Sequence, residues 1–246
     1  MEPVASRPLA SPDRAAASAA AASFARLVDK LDYLSPSEVE DVRRAYKCAD
    51  EAHLGQIRKS GDPYITHPIA VASLCAEWKL DAHALMAALM HDVIEDSSIS
   101  KQDMTERFGP TVAELVDGLT KLEKLEFHSR EHNQAESFRK MLLAMAKDVR
   151  VILIKLADRS HNMRTMGDMP RSKWGRISRE TLEVYAPIAY RLGLNQTYLE
   201  LQDLAFRYAK PWRYQTLQKA INKARRRRVD LIDKVQGEIT ADLQAH

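Results

Sequence analysis

Cysteine is nearly missing from this chain: Cys48 and Cys75 are the only two in 246 residues, and neither stands in a CxxC or CxxH spacing. That pattern argues against a disulfide framework and against structural zinc. It fits a reducing compartment, with the cytoplasm as the default expectation. Long apolar runs are missing as well. No stretch approaches the roughly 18 uninterrupted apolar residues that read as a membrane-spanning helix, so no membrane association is expected. A surplus of one charge is also missing: 37 Lys and Arg against 34 Asp and Glu leave a net charge of +3. That is too small to mark a nucleic-acid binder, so any basic site must be local and no direct nucleic-acid partner is expected.

The opening stretch MEPVASRPLASPDRAAASAAAASFA is rich in Ala, Ser and Pro but has neither a basic cluster at its start nor a leucine-rich centre. A secretory signal is therefore disfavoured, and residues 1–24 are read as a flexible tail. From about Phe24 onward the chain reads almost entirely as helix. Ser35-Pro36-Ser37-Glu38 is a capping box with proline at the first helical position, opening a helix to about His53. Thr66-His67-Pro68 repeats the signal, with Thr66 as the expected N-cap. Asp81 opens a helix whose Leu85, Ala88, Leu89 and Val93 recur at helical spacing. The run VRVILIKL (149–156) is β-branched enough for a buried strand, but it flows without punctuation into ADRSHNMRTM and is read as one long helix. Further helices are expected at 174–191, at 196–208 and from 212 onward. The expected organisation is an all-α domain over 25–208, with 209–246 as a helical extension.

The chemistry concentrates in HDVIED, residues 91–96, which packs one imidazole and three carboxylates into six positions. Such groups repel one another unless something positive sits among them, and a metal ion can fill that role. If the helix continues, Glu95 stacks above His91 and Asp96 above Asp92, about 6 Å along the axis. One pair can then hold the ion while the other handles protons, an arrangement suited to hydrolysis. On these six residues alone, a charged helix end with satisfied side chains remains an equal alternative. Two further stretches add donors. RKSGDPYITHP (58–68) brings His67 to a helix start, and LIKLADRSHNMRTM (153–166) brings Asp158 to the middle of an apolar helix, where a carboxylate needs a positive partner.

Taken together, RKSGDPYITHP, HDVIED and LADRSHNMRT resemble the HD phosphohydrolase superfamily. Within it they resemble the N-terminal hydrolase domain of the bacterial Rel/SpoT alarmone enzymes. The likeness runs from about Leu27 to Tyr208 and takes in YAPIAYRLGL and DLAFRYAKP. The resemblance implies a helical bundle of the HD-domain type, with one Mn²⁺ held by His67, His91, Asp92 and Asp158. It assigns the proton chemistry to Glu95 and Asp96. It further implies a guanosine nucleotide partner, ppGpp or pppGpp, hydrolysed to GDP or GTP plus pyrophosphate. Synthesis-only relatives have lost the HD and ED positions, which are intact here. A donor set rich in carboxylates suits Mn²⁺ better than a thiolate set would.

For so anionic a substrate, the turn Arg58-Lys59-Ser60-Gly61 offers side chains and backbone N–H groups to phosphate or purine. By the same resemblance Asn162 and Thr165 are carried over as nucleoside contacts. Arg159 and Arg164 are equally explained by surface ion pairs. His161, Trp78, Trp174 and Trp212 are read as structural, HSREH (128–132) as a loop without a metal, and ARRRR (224–228) as part of a solvated helix. The pattern Val229, Ile232, Val235, Ile239, Leu243 is still amphipathic where the chain ends. The expected partners are therefore the missing synthetase and regulatory domains of a longer bifunctional protein. Two other readings stand beside the hydrolase: a nucleotide-binding regulatory module with poor turnover in isolation, and a phosphatase acting on another nucleotide such as NADPH.

Overall fold

The computed structural model describes residues 12–126 and 147–245. The HSREH segment therefore lies outside the described residues. Among those described, the regular structure is helical apart from one isolated antiparallel bridge between Ile57 and Pro63.

Helix α1, Pro12–Val28, takes in the second half of the segment read as a tail, whose residues 1–11 lie outside the described residues. Ala20, Phe24 and Leu27 are buried, and the Phe24 ring stacks on Tyr46 with centroids 3.8 Å apart. An alanine-serine composition marks disorder only when no apolar anchor comes after it. Here Phe24 and Leu27 supply the anchor, and alanine has the highest helix propensity. Helix α2, Pro36–Ala52, starts at Ser35 with the reciprocal capping box read from the sequence.

Helix α3, Thr66–Glu77, departs from the expected capping. Thr66 is the first helical residue rather than the N-cap, and its Oγ1 donates to the Pro63 carbonyl at 2.8 Å. The N–H groups of Thr66 and His67 already donate to Pro63 O and Tyr64 O in the preceding turn, so this helix start needs no side-chain cap.

Helix α4, Ala82–Leu89, begins at the Asp81 cap and buries seven of its eight residues, all but His83. Such all-round burial marks a central helix. It packs against α2 and α3, and also against α7, Pro110–Glu126, and α8, Val149–Arg164. The short α5, Val93–Asp96, and α6, Lys101–Phe108, lead from α4 into α7.

The HDVIED stretch is not one continuous helix. α4 stops at Leu89, Met90 to Asp92 form a turn, and α5 starts afresh. The cause is local. The Ala88 carbonyl, which residue 92 would serve in an unbroken helix, instead faces the His91 ring, whose Nδ1 lies 2.9 Å away. A side chain has replaced the backbone donor. Asp92 then sits at φ −96°, ψ −8°, in the sparsely populated bridge region.

Beyond α8 come a 3₁₀ turn at Met166–Asp168 and α9, Arg171–Glu180. A π-helical turn, Thr181–Tyr185, links α9 to α10, Ala186–Arg191. Pro187 accounts for the π turn, since it has no N–H for the carbonyl four residues back and its ring would clash there. Helices α11, Asn195–Ala209, and α12, Pro211–Ala245, complete the described chain. Of the tryptophans read as packing residues, Trp174 packs on Tyr208 with its indole N–H on the Met169 carbonyl. Trp212 does not pack: it is 77% exposed.

Candidate functional site

Three separate elements deliver the candidate ligands to one buried place. α3 supplies His67 at its second position, the turn after α4 supplies His91 and Asp92, and the middle of α8 supplies Asp158. One donor atom from each of His67, His91 and Asp158 lies within 4.8 Å of the others, and all three residues are buried. Asp92 stands outside that mutual cluster, although its Oδ1 is 3.2 Å from His91 Nε2. Asp158 Oδ1 is 3.2 Å from His67 Nε2.

The surroundings of each group decide whether a cation fits. The His91 Nδ1 contact with the Ala88 carbonyl places a ring proton on Nδ1 and turns Nε2 toward the cluster, the orientation required of a histidine that coordinates through Nε2. Burial opposes a charge on His91, but Asp92 and Asp158 outweigh it and carry its pKa up to about 9. Burial lowers the His67 pKa against the opposing pull of Asp158. Both aspartates pay the same desolvation, yet Asp92 is held below the usual carboxylate range by His91 and His67. Asp158 is held well below that range by Lys155, with His67 and His91 adding to the effect. These are two ionised carboxylates and two imidazoles in a dry setting. That mixed nitrogen and oxygen donor set fits a divalent cation such as zinc or manganese, with no thiolate to bias the choice.

Three contributors to this arrangement were not named as site residues from the sequence. Tyr64 donates its hydroxyl to Asp92 Oδ2 at 2.6 Å, and burial, with Asp92 beside it, raises its pKa so that it stays a donor. Lys155, itself buried, places Nζ 3.1 Å from Asp158 Oδ2. His161, read as structural, lies with Nδ1 2.8 Å from His67 Nδ1, and burial together with His67 and Arg58 depresses its pKa to about 3. A signal existed for Lys155: a lysine within an apolar run, three residues before a buried aspartate, is on the same helix face. His161, three residues after Asp158 on the same helix, carried the same signal, and Tyr64 lies three residues before His67, but no spacing shows that they bond to His67 and Asp92.

Two cavities open from this centre. The smaller, about 250 Å³, is lined by His67, Asp92, Asp158, Glu95, Asp96, Arg58, Tyr64 and Asn162. Glu95 and Asp96 are exposed at its rim. They come there on α5, with both N–H groups on the Asp92 carbonyl, and not by stacking along one continuous helix. The larger cavity, about 460 Å³, shares Arg58, Tyr64, Asp158 and Asn162 with the first and adds five cations, Lys59, Lys155, Arg159, Lys173 and Arg176, against two carboxylates, Asp168 and Glu180, with Ser60 beside them. One end is therefore acidic and the other basic.

The basic turn is more committed than the sequence suggested. Gly61, at φ +91°, closes a loop in which the N–H of Arg58 donates to Asp62 O and that of Gly61 to Arg58 O. Ser60 Oγ donates to Asp62 at 2.8 Å. Of the backbone donors expected for phosphate, those of Arg58 and Gly61 are thus spent inside the loop. The Arg58 guanidinium rests on α8, with Nη1 donating to His161 Nδ1 at 3.2 Å and Nη2 near Thr165 Oγ1 at 3.4 Å. Asn162 lines both cavities, but its amide N–H donates to Asp158 Oδ1 at 2.6 Å. Arg159 is buried, paired with Glu180 at 3.2 Å and stacked over Tyr185, whereas Arg164 forms a two-pronged pair with Glu200.

The HD domain family profile matches residues 45–195. "Bifunctional (p)ppGpp synthase/hydrolase SpoT" of Escherichia coli (strain K12) is 52% identical over 212 residues, covering 86% of this chain and 30% of that protein. "GTP pyrophosphokinase" of Myxococcus xanthus is 47% identical over 204 residues, covering 82% of this chain and 27% of that protein. The chain thus spans less than a third of the length of either relative. A solved structure described as "A metazoan ortholog of SpoT hydrolyzes ppGpp and plays a role in starvation responses" is 26% identical, with TM-score 0.49, covering 72% of this chain and 98% of that one. Among the described residues no helix is long and apolar enough to cross a membrane.

Proposed function

The chain belongs to the HD domain family, and from that premise we propose that it hydrolyses guanosine 3′,5′-bis(diphosphate) and its pentaphosphate relative, releasing pyrophosphate and leaving GDP or GTP. The carrying observation is the meeting of two unlike cavities at one donor cluster: an acidic one around His67, His91, Asp92 and Asp158, and a basic one beyond Arg58. A nucleotide with diphosphates at two positions can place one at the cluster and extend the rest across the shared wall. Relatives carry both pyrophosphokinase and pyrophosphohydrolase names. The intact His, HD and Asp set, with Glu95 and Asp96 beside it, favours hydrolysis.

His67, His91, Asp92 and Asp158 would hold a divalent cation, Mn²⁺ by the Rel/SpoT resemblance, and when bound it would supply Lewis acidity toward phosphate and make water more acidic. The chain's own groups do the rest. Tyr64 orients Asp92 by donating to Oδ2, and Lys155 and Asn162 hold the Asp158 carboxylate ionised and fixed. Glu95 and Asp96 stand at the mouth of the acidic cavity, where a carboxylate can accept a proton from water attacking the 3′-phosphorus and pass it to the ribose 3′-oxygen, which leaves as the hydroxyl of GDP or GTP. Lys59, Ser60 and Arg58 meet the nucleotide from the loop, and Thr165 and Asn162 from α8. The surrounding domains of a longer Rel/SpoT protein are the proposed macromolecular partners, and the cytoplasm the proposed setting.

Incubating the purified chain with ppGpp and Mn²⁺ should yield GDP and pyrophosphate in equal amounts, both absent after chelation. Release of orthophosphate instead, or no product, would defeat the proposal. A second expected outcome concerns the basic wall. Lys59→Ala should raise KM for ppGpp by about 10-fold with a smaller change in kcat, because an exposed charge facing phosphate contributes mainly to binding. Unchanged KM would return the loop to a purely structural role.

A further inference from the structure

We infer that His161 is a positioning residue that joins the nucleotide-facing loop to the metal ligand His67, so that Arg58 and the bound cation influence one another through a shared imidazole. This rests on the reading of His67 as a ligand and concerns only how that ligand is set.

His161 Nδ1 lies 2.8 Å from His67 Nδ1 and 3.2 Å from Arg58 Nη1. A guanidinium carries donors only, so Arg58 must donate, and the His161 Nδ1 lone pair must accept. The ring proton of His161 then sits on Nε2. A nitrogen that presents a lone pair cannot also donate, so in the second contact His67 Nδ1–H is the donor. One donor-only group thereby orders both imidazoles and leaves His67 Nε2 with its lone pair facing the cluster. Nε2 meets Asp158 Oδ1 there at 3.2 Å. An acceptor facing a carboxylate oxygen is unfavourable unless a cation or a proton stands between them.

The two histidine ligands are thus oriented differently. His91 has its Nδ1 on the Ala88 carbonyl, a backbone group. His67 depends on another side chain, and that acceptor is contested. Arg58 lines both cavities. While its guanidinium draws on the His161 lone pair, the hydrogen bond from His67 is weakened. If an anion draws Arg58 away, His67 gains the whole acceptor, Nε2 becomes the better donor to a cation, and metal binding tightens. By linkage the cation must favour anion binding to the same extent.

Calorimetric titration of Mn²⁺ into the whole chain tests this without any reaction. His161→Leu should weaken Mn²⁺ binding about 10- to 100-fold, the usual cost of losing the outer partner of a ligating histidine. His161→Asn, whose amide oxygen can stand where Nδ1 stood, should restore most of that loss. Arg58→Met should tighten Mn²⁺ binding by removing both a nearby charge and the competing donor. The charge effect persists when His161 is leucine, so the gain should be clearly smaller in the double variant, and that difference measures the shared hydrogen bond. Native Mn²⁺ affinity in His161→Leu would overturn the inference. Equal weakening in the leucine and asparagine variants would overturn it too, marking His161 as packing. So would an identical gain from Arg58→Met in both backgrounds. Failure of the native chain to hydrolyse ppGpp would strike the proposed function instead, and the affinities would still decide the role of His161.

Discussion

Asp158→Ala should abolish hydrolysis and weaken Mn²⁺ binding by more than about 100-fold, since even outer-shell losses cost 10- to 100-fold and this carboxylate lies within the donor cluster itself. It should also destabilise the fold, for a separate reason. Lys155 is only 3% exposed and its ammonium pairs with Asp158 Oδ2, so truncating the aspartate takes one ionic partner from a buried cation and should lower the melting temperature. The two effects can be separated. Adding Lys155→Met removes that charge at similar volume, and the double variant should regain part of the melting temperature while binding Mn²⁺ no better. Recovery of metal binding together with stability would mean that Asp158 serves the fold alone. Undiminished Mn²⁺ binding in Asp158→Ala would remove it from the site.

The division between what the sequence disclosed and what it concealed tracks the physics of each residue. His67, His91 and Asp158 stood out because polar groups beside apolar helical runs have few structural excuses, and the helices that carry or precede them were legible from periodicity. Helix α8 is the clearest instance, read as helix despite its β-branched start. The helix over residues 12–24 was not read because its anchors, Phe24 and Leu27, act through tertiary packing, Phe24 on the Tyr46 ring, which composition does not register. The break in HDVIED escaped notice because a histidine can bond its own helix end, and no spacing rule shows whether it does. Tyr64 and His161 were hidden for a different reason. Their significance lies in single hydrogen bonds across 28 and 94 positions of sequence, and such bonds exist only once the helices are packed.

The break in HDVIED also bears on which carboxylate handles the proton. With α5 starting afresh after Asp92, neither Glu95 nor Asp96 inherits the position that a continuous helix would give it. Both reach the rim of the acidic cavity by way of the Asp92 carbonyl, while His67, Asp92 and Asp158 form its floor. Neither belongs to the mutual donor cluster. Glu95→Gln keeps the shape of the side chain and one acceptor oxygen but removes the charge and the ability to take a proton. General acid-base assistance is typically worth about 10²- to 10⁴-fold in rate, so single-turnover release of pyrophosphate should slow by that much. Mn²⁺ and ppGpp affinities, measured by calorimetry on the same variant, should stay within a few-fold of native, because the four candidate ligands and Lys59 are unaltered. A joint loss of binding and rate would instead place Glu95 among the ligands. Near-native turnover would clear Glu95 and pass the test to Asp96→Asn, one residue on and bonded to the same carbonyl. If both variants turn over normally, the proton leaves the attacking water without help from either carboxylate, and the ED pair serves only to keep the mouth of the cavity negative.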